Sequence, residues 1–281
     1  MPLTIRTMSR DDLTLASDWA RAEGWNPGLD DADAFFAADP GGFLIGELDG
    51  EPACVISVVG YGDQYGFLGF YICAPKFRGA GYGWEIWQAG MQHLNGRTIG
   101  LDGVIDQQDN YKKSGFALAH RNIRFGGSLD LDRSAHPGLL SVDSGLIPAL
   151  LEYDRKLNPA PRDRFMSQWL DPYITSRHSL AIQRNGQIAG FGTIRACFDG
   201  HKIGPLFATN ETDADLLFRA LCASVGKTMV YLDTPEPNQA AISMAKRYEM
   251  TPVFETARMY RGQAPSLPLQ HIWGITTFEL G

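Results

Sequence analysis

The residues best placed to do chemistry in this sequence are Arg78-Gly79-Ala80-Gly81-Tyr82-Gly83. Three glycines at alternate positions let the backbone turn tightly and approach a ligand closely. The apolar spacing of Trp84, Ile86, Trp87 and Met91 then predicts a helix. Backbone N–H groups converging at a helix N-terminus, within its partial positive charge, form a cradle for an anion, most naturally a pyrophosphate. Two familiar phosphate loops are excluded by spacing. A P-loop requires Lys and then Ser or Thr after its last glycine, whereas Gly83 precedes Trp84 and Glu85. The dinucleotide fingerprint requires Gly-x-Gly-x-x-Gly after a first strand; here the glycines alternate, and the strand before them is the fourth. A glycine-rich turn without a ligand has the same composition, so the surrounding elements have to decide.

Residues 3–8 alternate as a strand, and a helix follows through Leu13, Ala16, Trp19 and Ala22, closed by Gly24. Residues 23–28 form a turn, and Asp30, Asp31 and Asp33 open a short helix carrying Phe35 and Phe36. Residues 43–48 and 52–59 predict a hairpin across Asp49-Gly50. The fourth strand, 67–73, is stopped by Pro75, which cannot donate to a sheet ladder. After the glycine loop come a helix to residue 94, a strand over 98–104, a short helix over 107–114 and a strand over 116–125. The order is β-α-α-β-β-β-loop-α-β-α-β.

This order, with Arg78, Gly81 and Gly83 in an Arg/Gln-x-x-Gly-x-Gly/Ala loop after the fourth strand, resembles the GNAT N-acetyltransferases over about the first 127 residues. A second signature agrees: Tyr111 stands five residues before Phe116 of a Gly115-Phe116 pair. The resemblance implies acetyl-CoA as co-substrate and no metal. Its pantetheine arm would lie between the splayed fourth and fifth strands, bonded to backbone at Tyr71, Ile72 and Cys73. Its pyrophosphate would rest on Arg78, Gly79, Ala80, Gly81, Tyr82 and Gly83, with Arg78 adding charge or serving only a surface ion pair. Tyr111 would protonate the leaving thiolate. Many members carry an Asn seven residues before this Tyr; Val104 stands there instead, and Asn110 is the candidate for that contact. The proton of the attacking amine would go to Asp102 on the fifth strand or to Glu23 after the first helix. Trp25, Asn26 and Asp30, in the loop that lines the acceptor site in the family, would shape the substrate pocket.

The second half repeats the order without the chemistry. A polar segment, 128–138, reads as a linker, so we expect domains at 1–135 and 136–281. Each is expected to be an α/β (α+β) unit, a mixed, mainly antiparallel sheet flanked by helices. A hairpin turns at Asn185-Gly186, but the segment before the equivalent helix is Ala208-Thr209-Asn210-Glu211-Thr212-Asp213, without a glycine loop. Asp213 and Asp215 at that helix start would repel phosphates. Ala245 replaces Tyr111, Glu249 replaces Gly115, and Asn238 keeps the seven-before position. This half resembles the degenerate C-terminal domain of a tandem subset that carries Glu-Gly-Trp-Asn-Pro-Gly near its start and ends like Thr276-Thr277-Phe278-Glu279-Leu280-Gly281. The first half shows no clear seventh strand. Residues 272–280 are expected as a strand, and residues 271–281 are the candidate to complete the first sheet.

Composition narrows the function. The chain has 281 residues, 44% hydrophobic and 20% charged, which fits two globular domains. Its net charge is −7. Residues 1–135 hold 11 Lys+Arg against 18 Asp+Glu, and the rest hold 14 against 14, so the acidity sits in the half with the loop. That argues against a nucleic-acid partner and suits a cationic amine, the alternative being an acidic surface that serves solubility alone. No apolar run spans a membrane, no secretory signal is visible, and Cys54, Cys73, Cys197 and Cys222 lack metal or disulfide spacing, which predicts a cytoplasmic protein. The expected function is acetyl transfer to a small amine by direct attack on the thioester. A non-catalytic acyl-CoA sensor and a protein lysine or N-terminal acetyltransferase are the alternatives. Oligomeric state is not readable.

Overall fold

The computed structural model describes residues 2–132 and 136–281. The first half contains β1 (Thr4–Thr7), α1 (Asp12–Ala22), α2 (Asp31–Ala38), β2 (Phe43–Leu48), β3 (Glu51–Tyr61), β4 (Tyr65–Cys73), α3 (Tyr82–His93), β5 (Thr98–Val104), α4 (Gln108–Lys113) and β6 (Ala117–Leu129). The second half repeats this with β7 (Leu139–Ser141), α5 (Ile147–Asp154), α6 (Asp163–Trp169), β8 (Arg177–Arg184), β9 (Gln187–Ala196), β10 (His201–Ala208), α7 (Glu211–Val225), β11 (Thr228–Pro235), α8 (Gln239–Arg247) and β12 (Thr251–Arg261). A last short strand, β13 (Ile272–Gly274), follows. Both hairpins turn where expected: Asp49 and Gly50 have φ of 50° and 82°, Asn185 and Gly186 of 52° and 77°, the left-handed pair that a two-residue hairpin needs.

The two halves share one 13-stranded sheet, in the order β1-β2-β3-β4-β5-β12-β6-β11-β10-β9-β8-β7, with β13 on β10. The sixth strands are exchanged. β12 of the second half pairs with β5, and β6 of the first half pairs with β11. The expectation that residues 271–281 complete the first sheet is therefore corrected. Another segment does complete it, but it is β12, and of residues 272–280 only Ile272–Gly274 is strand. Side-chain pairs fasten the exchanged strands. Arg258 of β12 holds Asp102 of β5 at 2.6 and 2.8 Å, and Arg124 of β6 holds Asp233 of β11 at 2.7 and 2.9 Å. Thr256 and Asn122 face each other at the centre of the exchange. Of the segment read as a linker, β6 takes its start, and residues 133–135, where the domain boundary was expected, lie outside the described residues.

Helices α1, α2, α5 and α6 cover one face over a core common to both halves, with Phe35 stacked on Trp169 at 6.3 Å and edge-on to Phe70 at 5.7 Å. On the other face α3 and α4 pack over the first half, and α7 and α8 over the second. Alternate strand residues feed the two layers, as the two-residue period of a strand requires. No helix among the described residues is long and apolar enough to cross a membrane.

Candidate active site

β4 and β5 run parallel only from Tyr65–Leu68 against Thr98–Leu101. Beyond that point a bulge against β3, with Phe70 at φ 44°, turns β4 away, and a V-shaped gap opens. The gap is the centre of a cleft of about 570 Å³. Leu68 to Cys73 form one wall, Leu101 to Val104 the other, and Arg78, Gly79, Gly81 and Gly83 the rim. Backbone groups left unpaired by the splay face this gap, which suits a ligand with amides of its own.

The glycines of the rim have separate reasons. Gly79 and Gly81 have φ of 80° and 93°, which other residues adopt only with strain, and Gly81 leads directly into α3. At Gly83 the constraint is space, because a Cβ would lie 2.9 Å from Cys73 Sγ and the Tyr71 hydroxyl. A narrow, glycine-lined cradle at the start of a 12-residue helix fits a pyrophosphate. Ala80 is exposed on the loop tip, and Tyr82 packs edge-on to Phe77 at 6.3 Å; neither lines the cleft. Arg78 donates from Nε to the Cys73 carbonyl at 2.9 Å and pairs with Glu23 across the rim.

Tyr111 lies in α4, which ends two residues later in a tight turn. The Phe116 amide bonds to the Tyr111 carbonyl at 3.1 Å, and Gly115 closes the turn at φ 87°. The ring stacks on Trp87 at 5.7 Å and presses on Gly103, where any Cβ would collide with it. Only 8% of Tyr111 is exposed, and burial pushes its phenol up to about 12. The group is therefore protonated at neutral pH and able to donate.

The other expected residues divide. Glu23 and Trp25 line the cleft. Asp102 lines it too, but its oxygens are taken by Arg258 and by the Asn122 amide at 2.7 Å. Asn110 faces solvent outside the cleft, bonded to Gln107 at 2.8 Å and Lys113 at 3.3 Å. Asn26 and Asp30, expected in the acceptor pocket, instead bind the second half. Asn26 makes paired bonds with the Asp199 backbone at 2.8 and 2.9 Å, and the Asp30 carbonyl accepts from Arg177 at 2.6 Å.

Sequence reading missed four wall residues supplied by the second half: Phe254, Thr256, Phe278 and Glu279. Phe254 and Thr256 arrive with the exchanged β12. Phe278 and Glu279 arrive with the last residues of the chain, whose carbonyl at Glu279 lies against Gly69 where no side chain fits. The one signal was a carboxylate embedded in an apolar terminus, Phe278-Glu279-Leu280.

The corresponding gap in the second half is filled by the chain itself. β10 and β11 are parallel only over His201–Ile203, then diverge. β13 enters and pairs with β10 at Leu206 and Phe207, and Ile275 N–H bonds to the Asp233 carbonyl at 2.9 Å on the β11 side. The Trp273 indole donates to the Ala208 carbonyl at 3.1 Å. Asn238, at the position that contacts the coenzyme in the family, donates to the Ile272 carbonyl at 2.9 Å. Asp213 is buried under Arg184, and Ala245 is in the core. No group of His, Cys, Asp and Glu among the described residues is arranged to hold a metal.

Comparison with known proteins agrees with this geometry. Residues 8–116 match the sequence profile of the "Acetyltransferase (GNAT) family" and residues 150–274 that of an "Acetyltransferase (GNAT) domain". The holothin acyltransferase of Pseudoalteromonas sp. (strain SANK 73390) is 33% identical over 279 residues, 99% of this chain and 94% of that protein. The chain belongs to the GNAT family. As a tandem GNAT protein it is an N-acyltransferase, and GNAT enzymes generally use acetyl-CoA. Its fold is that of a putative acetyltransferase from Pyrococcus horikoshii, at TM-score 0.83 and 21% identity, covering 99% of this chain and 96% of that one. A tandem GNAT protein from the clavulanic acid biosynthesis pathway superposes at TM-score 0.62 with 13% identity, over 94% and 100% of the two chains.

Proposed function

We propose that this GNAT enzyme transfers an acetyl group from acetyl-CoA to the amine of a small acceptor, in the cleft of residues 1–135. Residues 136–281 act as a degenerate half that supplies walls. The observation that carries this reading is the conjunction, in one cleft, of the β4–β5 splay, the Gly79–Gly83 cradle and the protonated Tyr111. The coenzyme would supply an activated thioester. Backbone from Tyr71 to Cys73 would hold its amide-bearing arm, and the rim amides with Arg78 its phosphates. Tyr111 would give its proton to the departing sulfur.

Asp102 has a different part in this scheme. The same Asp–Arg pair recurs as Asp233–Arg124 beside the filled gap, so its duty is to fasten exchanged strands. Glu23 shares Arg78 in the structure and would face the acceptor beside Trp25 once phosphates draw Arg78 away. Walls from Phe254, Phe278 and Glu279 favour a small acceptor over a polypeptide. Because a relative at 33% identity is a holothin acyltransferase, holothin is the first acceptor to try.

The test is calorimetric titration of acetyl-CoA into the wild type and the double variant Arg78→Glu/Gly81→Trp, followed by thiol release with amines. One site per chain, lost in the variant, is expected. Two sites would contradict the filled second gap, and binding without turnover of any amine would favour a sensor.

A further inference from the structure

Residues 276–281 form a turn held on every side. Arg162 bonds Thr276 Oγ1 at 2.7 Å and the Gly281 carbonyl at 2.6 Å, spanning the turn, and is itself fixed by Asp154 at 2.8 and 3.0 Å. The Tyr61 hydroxyl donates to the Leu280 carbonyl at 3.0 Å, and Leu280 N–H to Thr277 Oγ1 at 2.9 Å. A turn pinned this firmly places its side chains with little freedom. It presents Glu279 to the cleft of the first half, next to Gly69 at the point where β4 leaves β5.

Glu279 is 3% exposed, and its Oε1 has no hydrogen-bond partner among the described residues. The nearby cations are largely committed elsewhere. Lys202 donates to the Asn26 carbonyl at 2.8 Å, Arg124 is bound to Asp233 and to the Trp25 carbonyl, and Arg195 pairs through Nε with Asp31 and lies over Trp169 at 4.7 Å. Of these, Arg195 keeps two unpartnered nitrogens, Nη1 and Nη2. A buried carboxylate oxygen aimed at no donor is the arrangement expected of a residue whose partner is a ligand. Beside it, Phe254 and Phe278 stand 6.0 Å apart, and Arg124 lies over both rings while holding the Trp25 carbonyl.

We propose that Glu279 is the acceptor-amine residue of this cleft, seating a primary amine carried on a flat apolar body and taking the proton that the amine loses. This rests on the acyl-transfer reading above. As the nitrogen attacks, a C–N bond forms and the C–S bond breaks. The proton released by the nitrogen passes to Glu279, and the thiolate receives the proton of Tyr111. Glu279 returns its proton through solvent to the Tyr111 phenolate, so one amine and one thioester become one amide and one thiol. Trp25, Phe254 and Phe278 bind the apolar body.

The carboxylate must be ionised to act. Burial raises it above the ordinary carboxylate range, Asp31 adds to the rise, and Lys202, Arg195 and Arg124 oppose it. Asp102, Glu23 and Tyr111 share the cleft. The rate should therefore fall on the acid side at a pH above that of an ordinary carboxylate.

The experiment compares wild type, Glu279→Gln and Glu279→Asp. Acetyl-CoA affinity is measured by calorimetry, tryptamine and benzylamine binding by calorimetry on CoA-saturated protein, and transfer to both amines as a function of pH. n-Butylamine is the non-aromatic control. In the Gln variant we expect acetyl-CoA affinity within twofold, amine binding at least tenfold weaker, kcat/KM lower by about 10²–10⁴-fold, and no acid limb. The Asp variant should keep the limb with a lower rate, and it carries the test if the Gln variant does not fold. A Gln or Asp variant with wild-type kcat/KM and an unchanged acid limb overturns the proposal. Wild type that binds acetyl-CoA but prefers n-butylamine overturns the acceptor class. Wild type that binds no acetyl-CoA, or binds it and turns over no amine, strikes the underlying reading instead.

Discussion

The two splayed gaps of this sheet begin alike and end differently. Each opens after a short parallel stretch, beside a glycine, Gly69 in β4 and Gly204 in β10, against which the C-terminal segment lays a carbonyl. In the first half the gap is rimmed by glycines with left-handed backbone and lined by Tyr111; in the second it is stitched shut by Ile272 to Ile275. Duplication therefore kept the architecture and gave one terminal segment two duties. It fills the gap that has no glycine loop, and it then crosses to wall the gap that has one. Exchange of β6 and β12 makes this possible, because it holds both gaps in a single rigid sheet.

The comparison breaks hardest at Tyr111. Its counterpart, Ala245, is core, so only Tyr111→Phe should change chemistry. We expect kcat to fall by about 10²–10⁴-fold with acetyl-CoA affinity unchanged. Because burial holds the phenol at about 12, the wild type should show no alkaline limb below pH ~10 from this group. An equal loss of coenzyme affinity would make Tyr111 a packing residue.

The next test asks whether the paired aspartates are equivalent. Asp102→Asn leaves Arg258 unpaired and Asp233→Asn leaves Arg124 unpaired, both in buried sites. Each should destabilise the protein by about 3–5 kcal/mol, measured by chemical denaturation. In the folded fraction, kcat of Asp102→Asn should stay within about tenfold of wild type, well short of the loss expected for a general base. A loss confined to Asp102→Asn and exceeding that would return the base role to Asp102.

Trp273→Ala removes the largest side chain of the plug. It should destabilise the protein by about 3–5 kcal/mol yet create no second coenzyme site, since Asn210 to Asp213 offer no glycine cradle. Calorimetric stoichiometry rising to two would mean that the plug alone silences the second half.

These contrasts also mark what the sequence could tell. The glycine loop, the hairpins and the Tyr111 register are local patterns, each fixed by backbone needs within a few residues, and they are visible in the order of residues. The exchange of β6 and β12 is not local. Either strand satisfies the same period-two pattern beside its own fifth strand or its partner's, and because Arg124 and Arg258 hold equivalent places in the two strands, the Asp–Arg pairs suit either arrangement alike. The acceptor wall was hidden for a like reason: Phe254 and Glu279 lie more than 140 positions from Asp102 in the chain, and reach the cleft through that exchange and through the segment after β13. A polar loop beside a cleft and a polar loop at an interface look the same in sequence, so the bonds of Asn26 and Asp30 to the second half were not visible there.

The smallest effect concerns the rim. Glu23 and Arg78 are paired across the cleft mouth, with 33% and 49% of their side chains exposed. Solvent screens such a pair, so its worth is about 0.2–1 kcal/mol. Phosphates must compete with Glu23 for Arg78, and Glu23→Gln should therefore tighten acetyl-CoA binding by about 1.5- to 5-fold at low salt. The gain should shrink as ionic strength rises, because the pair it removes weakens in parallel. If Arg78 serves only the surface, the variant leaves coenzyme affinity unchanged at every salt concentration, and the rim contributes its backbone alone. The filled gap of the second half has neither the glycines nor the arginine, so this measurement separates which of the two losses mattered more for coenzyme binding.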